Sequence, residues 1–183
     1  MMQPSVSLHG VYMDIFGVGV FLTGTSGIGK SEIALGLISR GHRLIADDSA
    51  EFYLRDNQGT LEVVGKCHEM LKNFLEVRGL GVINIKEMFG ENAIKDNVAL
   101  QLVTHLIDLK DDEIKNSDRL HGMHSQINIL DKEIAHVVIP VAAGRNLSVL
   151  IETAVRNHRL RINGYDAAKD FINRQHEFLD GRR

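Results

Sequence analysis

The residues best suited to chemistry stand in unbroken succession: Gly24, Thr25, Ser26, Gly27, Ile28, Gly29, Lys30 and Ser31. They satisfy the pattern G-x-x-x-x-G-K-[ST]. The glycines let the backbone curl so that successive N–H groups converge on phosphate oxygens. A helix starting near Lys30 adds the positive end of its dipole to the same point. The lysine neutralises β- and γ-phosphates, and the Ser31 hydroxyl is placed to ligate Mg²⁺. At average residue frequencies the pattern arises by chance in only ~1% of chains this long. The competing reading is a glycine-rich turn carrying a solvated lysine.

Two carboxylates follow, Asp47 and Asp48, 17 and 18 positions after Lys30. Acidic residues at the C-terminal end of a strand can hold Mg²⁺ opposite a phosphate loop, and a parallel α/β arrangement would bring that end to the loop. Paired carboxylates can also divide the work, one supporting the metal and the other accepting a proton from an attacking hydroxyl. An Asp-Asp pair by itself is more often a helix cap or an exposed turn. His9 is one of nine histidines and by itself reads as an ordinary strand residue. Glu76-Val77-Arg78-Gly79-Leu80-Gly81 reads as a strand-turn-strand with a surface ion pair. His121 and His124 are three apart, but no third metal ligand accompanies them.

The elements needed to position these groups are legible in outline. Residues 6–14 alternate weakly and run into Gly17. Val18 to Thr23 is almost wholly apolar, as expected for a strand buried on both faces. Ile33, Ala34, Leu37 and Ile38 recur at helical spacing, and Gly41 stands where a C′ glycine would end the helix. Residues 43–46 form a short strand ending in the two aspartates. Residues 51–64 read as a hairpin around Asp56-Asn57-Gln58-Gly59. Further strands are expected at 98–109 and 134–141, with a polar, mobile loop at 110–126. Asn146 caps a helix whose apolar face is Leu147, Leu150, Ile151, Ala154 and Val155, and Gly164 stops it. A last helix carries Phe171, Ile172, Phe178 and Leu179.

Composition narrows the class. The 183 residues suffice for one ordinary domain with its own core, and 44% hydrophobic with 25% charged residues is globular usage. A net charge of −3 gives no basic field for nucleic acid. No apolar run approaches the ~20 residues of a membrane span. The start lacks the basic and apolar regions of a signal peptide. The single cysteine, Cys67, excludes an internal disulfide and fits a reducing cytoplasm.

Four segments occur in an order that resembles one family: Gly24 to Glu32 (GTSGIGKSE), Gly41 to Asp48 (GHRLIADD), Leu75 to Asn84 (LEVRGLGVIN) and Ile139 to Leu147 (IPVAAGRNL). Together with Leu8-His9-Gly10 and Asn163-Gly164-Tyr165-Asp166-Ala167 they look like the catalytic domain of the bacterial HPr kinase/phosphorylases. LEVRGLGVIN is close to a family signature.

The resemblance implies an α/β fold: a strand-rich, P-loop-containing core resembling the nucleotide site of phosphoenolpyruvate carboxykinase, with C-terminal helices. It implies that residues 1–183 are one catalytic domain, lacking the N-terminal domain that family members carry ahead of it. It also implies a function. ATP and Mg²⁺ would serve to phosphorylate a regulatory serine of HPr, a phosphocarrier of the sugar phosphotransferase system, in the control of carbon metabolism. Inorganic phosphate would reverse this by phosphorolysis, yielding pyrophosphate. By position, Gly24 to Ser31 hold the phosphates with Lys30 catalytic, while Ser31, Glu76 and Asp47 serve Mg²⁺. Asp48 is the proton acceptor, and the donor in phosphorolysis. His9 lies near the transferred phosphate, and Arg119 matches an active-site arginine on a mobile loop. Leu75 to Asn84 serve both reactions; Pro140, Val141, Ala142, Ala143, Gly144 and Arg145 matter mainly for phosphorolysis.

Two departures stand out. Thr25 replaces the family's usual aspartate, and Arg119 sits in Asp-Arg-Leu-His rather than Asp-Arg-Leu-Gly. The competing functional reading is a non-catalytic P-loop nucleotide sensor or a small-molecule kinase. For the last helix two readings stay open: its apolar stripe packs on its own domain, or part of it packs across a subunit boundary in a symmetric homo-oligomer, a hexamer as in the family.

Overall fold

The structure, a computed structural model, describes residues 4–108 and 120–180; Arg119 lies outside the described residues. The weakly alternating N-terminal run splits at Gly10 into β1 (Ser5–His9) and β2 (Val11–Ile15). A tight Phe16-Gly17 turn leads into β3 (Val18–Gly24), buried over its first five residues as the apolar run requires. The phosphate loop then delivers the chain to α1 (Lys30–Ile38). Next come β4 (Arg43–Ala46) and the hairpin of β5 (Ser49–Asn57) and β6 (Thr60–Cys67). Gln58 and Gly59 close that hairpin with φ of 53° and 85°, the two-residue turn that matches strand twist. A separate small hairpin, β7 (Phe74–Val77) and β8 (Gly81–Asn84), runs into the short helix α2 (Ile85–Phe89). The long β9 (Asn97–Asp108), β10 (His124–Ile129) and β11 (Lys132–Val141) precede α3 (Leu147–Ile162) and α4 (Ala167–Asp180).

Among the described residues the main sheet has nine strands, in the path β1-β5-β6-β9-β3-β2-β4, with β11 on β9 and β10 on β11. The sheet is mixed. β9 runs parallel to β3 and β11, while β2 is antiparallel to both β3 and β4. Two strands antiparallel to the same neighbour share a direction, so β3 and β4 end at the same edge, with Gly24 on one and Asp47 just beyond the other. This brings phosphate loop and carboxylates together without the purely parallel sheet that the sequence suggested.

Alternation along the strands sorts the core onto two faces. Val20, Leu22, Leu102, Leu106, Val137 and Ile139 pack beneath α1 and α3. Tyr12, Phe21, Phe52, Val103, Ile129 and Ile134 fill the other face, which carries no helix among the described residues. Edge-to-face contacts among Tyr12, Phe21 and Phe52, with centroids 5.0–6.3 Å apart, key that second core. No helix among the described residues is long and apolar enough to cross a membrane.

Two expectations change. The stretch read as a loop through residue 126 already contains β10 from His124 onward, because pairing with β11 overrides its polar composition. Helix α1 ends at Ile38 with Ser39 as its C-cap, so Gly41 closes the turn one position later than C′. Helix α4 has no fully buried residue: Phe171, Phe178 and Leu179 are exposed, while Ile172 is half-buried. The Asn146 cap, by contrast, is as expected, its side-chain oxygen accepting from the Val149 N–H.

An ionic knot ties α3 to α1. Glu152 accepts two bonds from Arg40, at 2.7 and 2.6 Å, and a third from His42 Nε2 at 2.8 Å. The Arg40 bonds hold the carboxyl far down, from its ordinary 4.5 to about 2, against the opposing effect of burial and with help from His42. A carboxyl depressed on folding stabilises the protein above its unfolded pKa, and that contribution is lost as pH falls through the folded value. Glu152→Gln is therefore expected to destabilise the chain at pH 7 by about 1–2 kcal/mol, since it leaves the buried His42 and the partly exposed Arg40 short of a charged acceptor. Thermal melts of both proteins should converge as pH is lowered from 4.5 toward about 2.

Candidate active site

The end of β3 and the start of α1 open onto a cavity of about 360 Å³. Its floor is the phosphate loop. A Cβ on Gly24 would lie 2.6 Å from the Leu106 carbonyl oxygen, so only glycine lets the loop leave β3 this close to β9. A Cβ on Gly27 would meet the Arg78 guanidinium at 3.2 Å, which places Arg78 directly against the loop. The N-terminus of the nine-residue α1 points its unsatisfied N–H groups into this space.

Lys30 is not solvated, contrary to one of the readings above. It is 9% exposed and its Nζ donates to the carbonyls of Gly24 at 2.9 Å and Thr25 at 3.2 Å. The ammonium is thus held inside the curl of the loop, where a phosphate oxygen would meet it. Ser31 Oγ donates to Asp47 Oδ1 at 3.2 Å, and the other carboxylate oxygen of Asp47 accepts from the Glu76 N–H at 2.8 Å. Asp47 is 8% exposed. Burial pushes its carboxyl above the usual carboxylate range, partly offset by the bonds from Glu76, Asp48 and Ser31.

Asp48 is different in kind. Its backbone is left-handed, with φ of 65°, which turns the side chain away from Asp47 and toward the cavity mouth. A non-glycine residue held there carries backbone strain, a recurrent feature of functional sites. His9, at the end of β1, approaches Asp48 Oδ1 through Nδ1 at 3.1 Å, and both side chains are exposed. The Gly10 N–H donates to the Asp48 carbonyl, tying the two strand ends together. One aspartate is therefore buried beside the serine and the other open beside the histidine.

The structure brings His9, Lys30, Ser31, Asp47, Asp48 and Glu76 to one cavity. Residues 140–145 do not line it. Gly144 and Arg145 instead border a neighbouring groove of about 550 Å³ that shares Gly29 and Glu32 with the cavity. Arg145 Nη1 donates to the Pro140 carbonyl at 2.7 Å, which fixes that turn. Sequence reasoning did not single out Glu32 or the seat of Arg78. Glu32 follows the motif in the first helical turn, and an acid there is a readable signal. Nothing local to Arg78 announces its contact with Gly27, because the two are brought together only by the β7–β8 hairpin.

Among the described residues no three His, Cys, Asp or Glu side chains form a ready-made metal cage. The Ser31 hydroxyl and the Asp47 carboxylate, 3.2 Å apart with Glu76 lining the same cavity, make a hard-oxygen set of another type. It suits Mg²⁺, which takes one or two carboxylates and completes its shell with water and substrate phosphates.

The family model for the HPr serine kinase C-terminal domain matches residues 1–175. The chain belongs to that family. It is 47% identical to an HPr kinase/phosphorylase of Chromobacterium violaceum over 96% of this chain and 54% of the relative. It is 50% identical to one from Azoarcus over 98% of this chain and 56% of the relative. The chain thus spans about half the length of the curated relatives it matches. A solved structure of the HPr(Ser) kinase/phosphatase from Coxiella burnetii superposes with a TM-score of 0.78 at 32% identity, covering 91% of this chain and 98% of that one. The strand-rich α/β core with C-terminal helices is accordingly the fold of this family.

Proposed function

We propose that this chain is the catalytic unit, residues 1–183, of an HPr kinase/phosphorylase that uses ATP and Mg²⁺ to phosphorylate a regulatory serine of HPr, in the control of carbon metabolism. The observation that carries the reading is the split environment of the two aspartates on one phosphate cavity, Asp47 buried against Ser31 and Asp48 open beside His9. A nucleotide sensor would need the first of these and not the second.

In the kinase direction the loop amides, Lys30 and the α1 N-terminus hold the β- and γ-phosphates; Ser31, Asp47 and Glu76 would hold Mg²⁺, which would neutralise charge on the phosphates. The seryl oxygen attacks the γ-phosphorus in line. The bond from that phosphorus to the β-phosphate oxygen breaks, and the serine proton passes to Asp48. In the other direction an oxygen of inorganic phosphate attacks the phosphoserine phosphorus, the bond to the seryl oxygen breaks, and Asp48 returns the proton. Serine and pyrophosphate result. Inorganic phosphate resembles the β-phosphate of ADP in charge and shape, so one anion cradle serves both reactions. The groove past Gly29 and Glu32, bounded by Gly144 and Arg145, receives the nucleoside. On this reading residues 140–145 act from beside the phosphate cavity rather than within it.

The exposed Phe171 and Leu179 of α4 support a homo-oligomer as the working form, on this reading the hexamer of the family. Sedimentation at micromolar concentration checks this, and a monomer would count against it. The activity is tested by incubating the chain with γ-labelled ATP and HPr. Label on an HPr serine, released as pyrophosphate on adding phosphate, is the expected result. Nucleotide binding with no transfer would return the reading to a sensor.

A further inference from the structure

A second groove, of about 390 Å³, adjoins the phosphate cavity, and His9 lines both. It lies on the face of the sheet that carries no helix. Its bed is Leu8, Phe21, Val103, Ile127 and Ile129, which belong to or pack on the second core. Register explains the bed: Phe21 stands beside Val103, Val103 beside His136, and His136 opposite Ser125, so these positions share a face. Two hydrogen bonds fix its polar wall. Thr23 Oγ1 and His105 Nδ1 are 2.8 Å apart, as are Ser125 Oγ and His136 Nδ1. Burial, with a lesser effect of nearby His105, holds His136 below the ordinary histidine pKa.

We propose that this groove receives an apolar side chain flanking the acceptor serine of the protein substrate. The inference rests on the kinase reading above and adds the side from which the acceptor arrives. Phosphoryl transfer needs entering and leaving oxygens roughly in line through the phosphorus. The groove bounded by Gly29, Glu32 and Arg145 lies on the helix side of the sheet, at the N-termini of α1 and α3. The groove past His9 lies on the opposite face, on the far side of the Asp48–His9 pair. Donor and acceptor therefore have separate approaches, and the base stands at the mouth of the acceptor's. An apolar-floored recess next to a general base suits a hydrophobic neighbour of the serine, whose burial there would hold the hydroxyl at Asp48. Alternate apolar and polar walls of this kind give specificity more than rate.

Ile127, half-buried at the groove edge and outside the catalytic set, is the position to test. Ile127→Asp should raise KM for HPr about tenfold, roughly the effect of 1.4 kcal/mol of lost contact, with KM for ATP within twofold of wild type. Ile127→Ala should raise it several-fold and decides the matter if the aspartate variant does not fold. On the substrate side, each apolar residue neighbouring the HPr serine is replaced by serine in turn. One replacement should weaken wild type comparably yet add little to Ile127→Asp, the non-additivity of residues in contact. The inference is overturned if folded Ile127 variants keep KM for HPr within twofold, or if every pair of losses simply adds. A wild-type chain that binds ATP and phosphorylates no HPr refutes the kinase reading itself, and this inference with it.

Discussion

A Lys30→Met chain is expected to lose both directions of phosphoryl transfer, each by about 10³-fold or more, and to keep its fold. The magnitude is that of removing a preorganised charge aimed at phosphate oxygens in a water-poor site. Methionine is the informative replacement because Lys30 is buried and donates to the Gly24 and Thr25 carbonyls. Alanine would leave a hole as well as two unsatisfied carbonyls, so loss of activity could reflect a collapsed loop. Methionine fills the stem's volume and removes only the ammonium, at a stability cost of about 1–2 kcal/mol for the orphaned acceptors. ATP titration, a melting curve and the HPr transfer assay separate these effects. A folded Lys30→Met chain active within tenfold of wild type would mean that the phosphates do not sit in this loop.

Much of the site could be read from sequence because it depends on local rules. The phosphate loop, the buried strand before it and the helix after it are consecutive, and each has its own pattern. The turn at Gln58-Gly59 and the Asn146 cap are likewise decided within a few residues. What could not be read depends on contacts distant in sequence. β10 has a polar face and a charged approach, and becomes a strand only because β11 returns alongside it. The mixed order around β2 is invisible to periodicity, yet it is what makes β3 and β4, on either side of β2, end at the same edge. The two aspartates look equivalent in sequence. Their difference comes from the left-handed backbone at Asp48 and from the Glu76 N–H that reaches Asp47 from the β7–β8 hairpin. The segment LEVRGLGVIN was conspicuous, but spacing could not say that Arg78 seats against Gly27. For α4 the amphipathic stripe was plain, while the exposure of Phe171 and Leu179 along it was not.

Asp48→Asn is the substitution that distinguishes catalysis from binding. Asparagine keeps the shape of the side chain and is at ease at the φ of 65° that this position requires, so the turn between β4 and β5 should survive unchanged. It can still meet His9, 3.1 Å away in the native pair, through its amide. It cannot take a proton from a serine hydroxyl at neutral pH. The expected result is a fall in kcat of about 10²–10⁴-fold, the usual contribution of a general base, with KM for ATP within a few-fold. Phosphorolysis should fall by a similar factor, because a carboxamide has no acidic proton for the departing serine oxygen. Asp47→Asn should behave differently, weakening Mg²⁺ dependence more than the rate at saturating metal, since Asp47 faces Ser31 rather than the cavity mouth. Paired assays in both directions across a Mg²⁺ series resolve the two. If Asp48→Asn transfers phosphate at the wild-type rate, the open carboxylate is not the base. Selective loss of only one direction would mean that kinase and phosphorylase use different proton carriers in the same cavity.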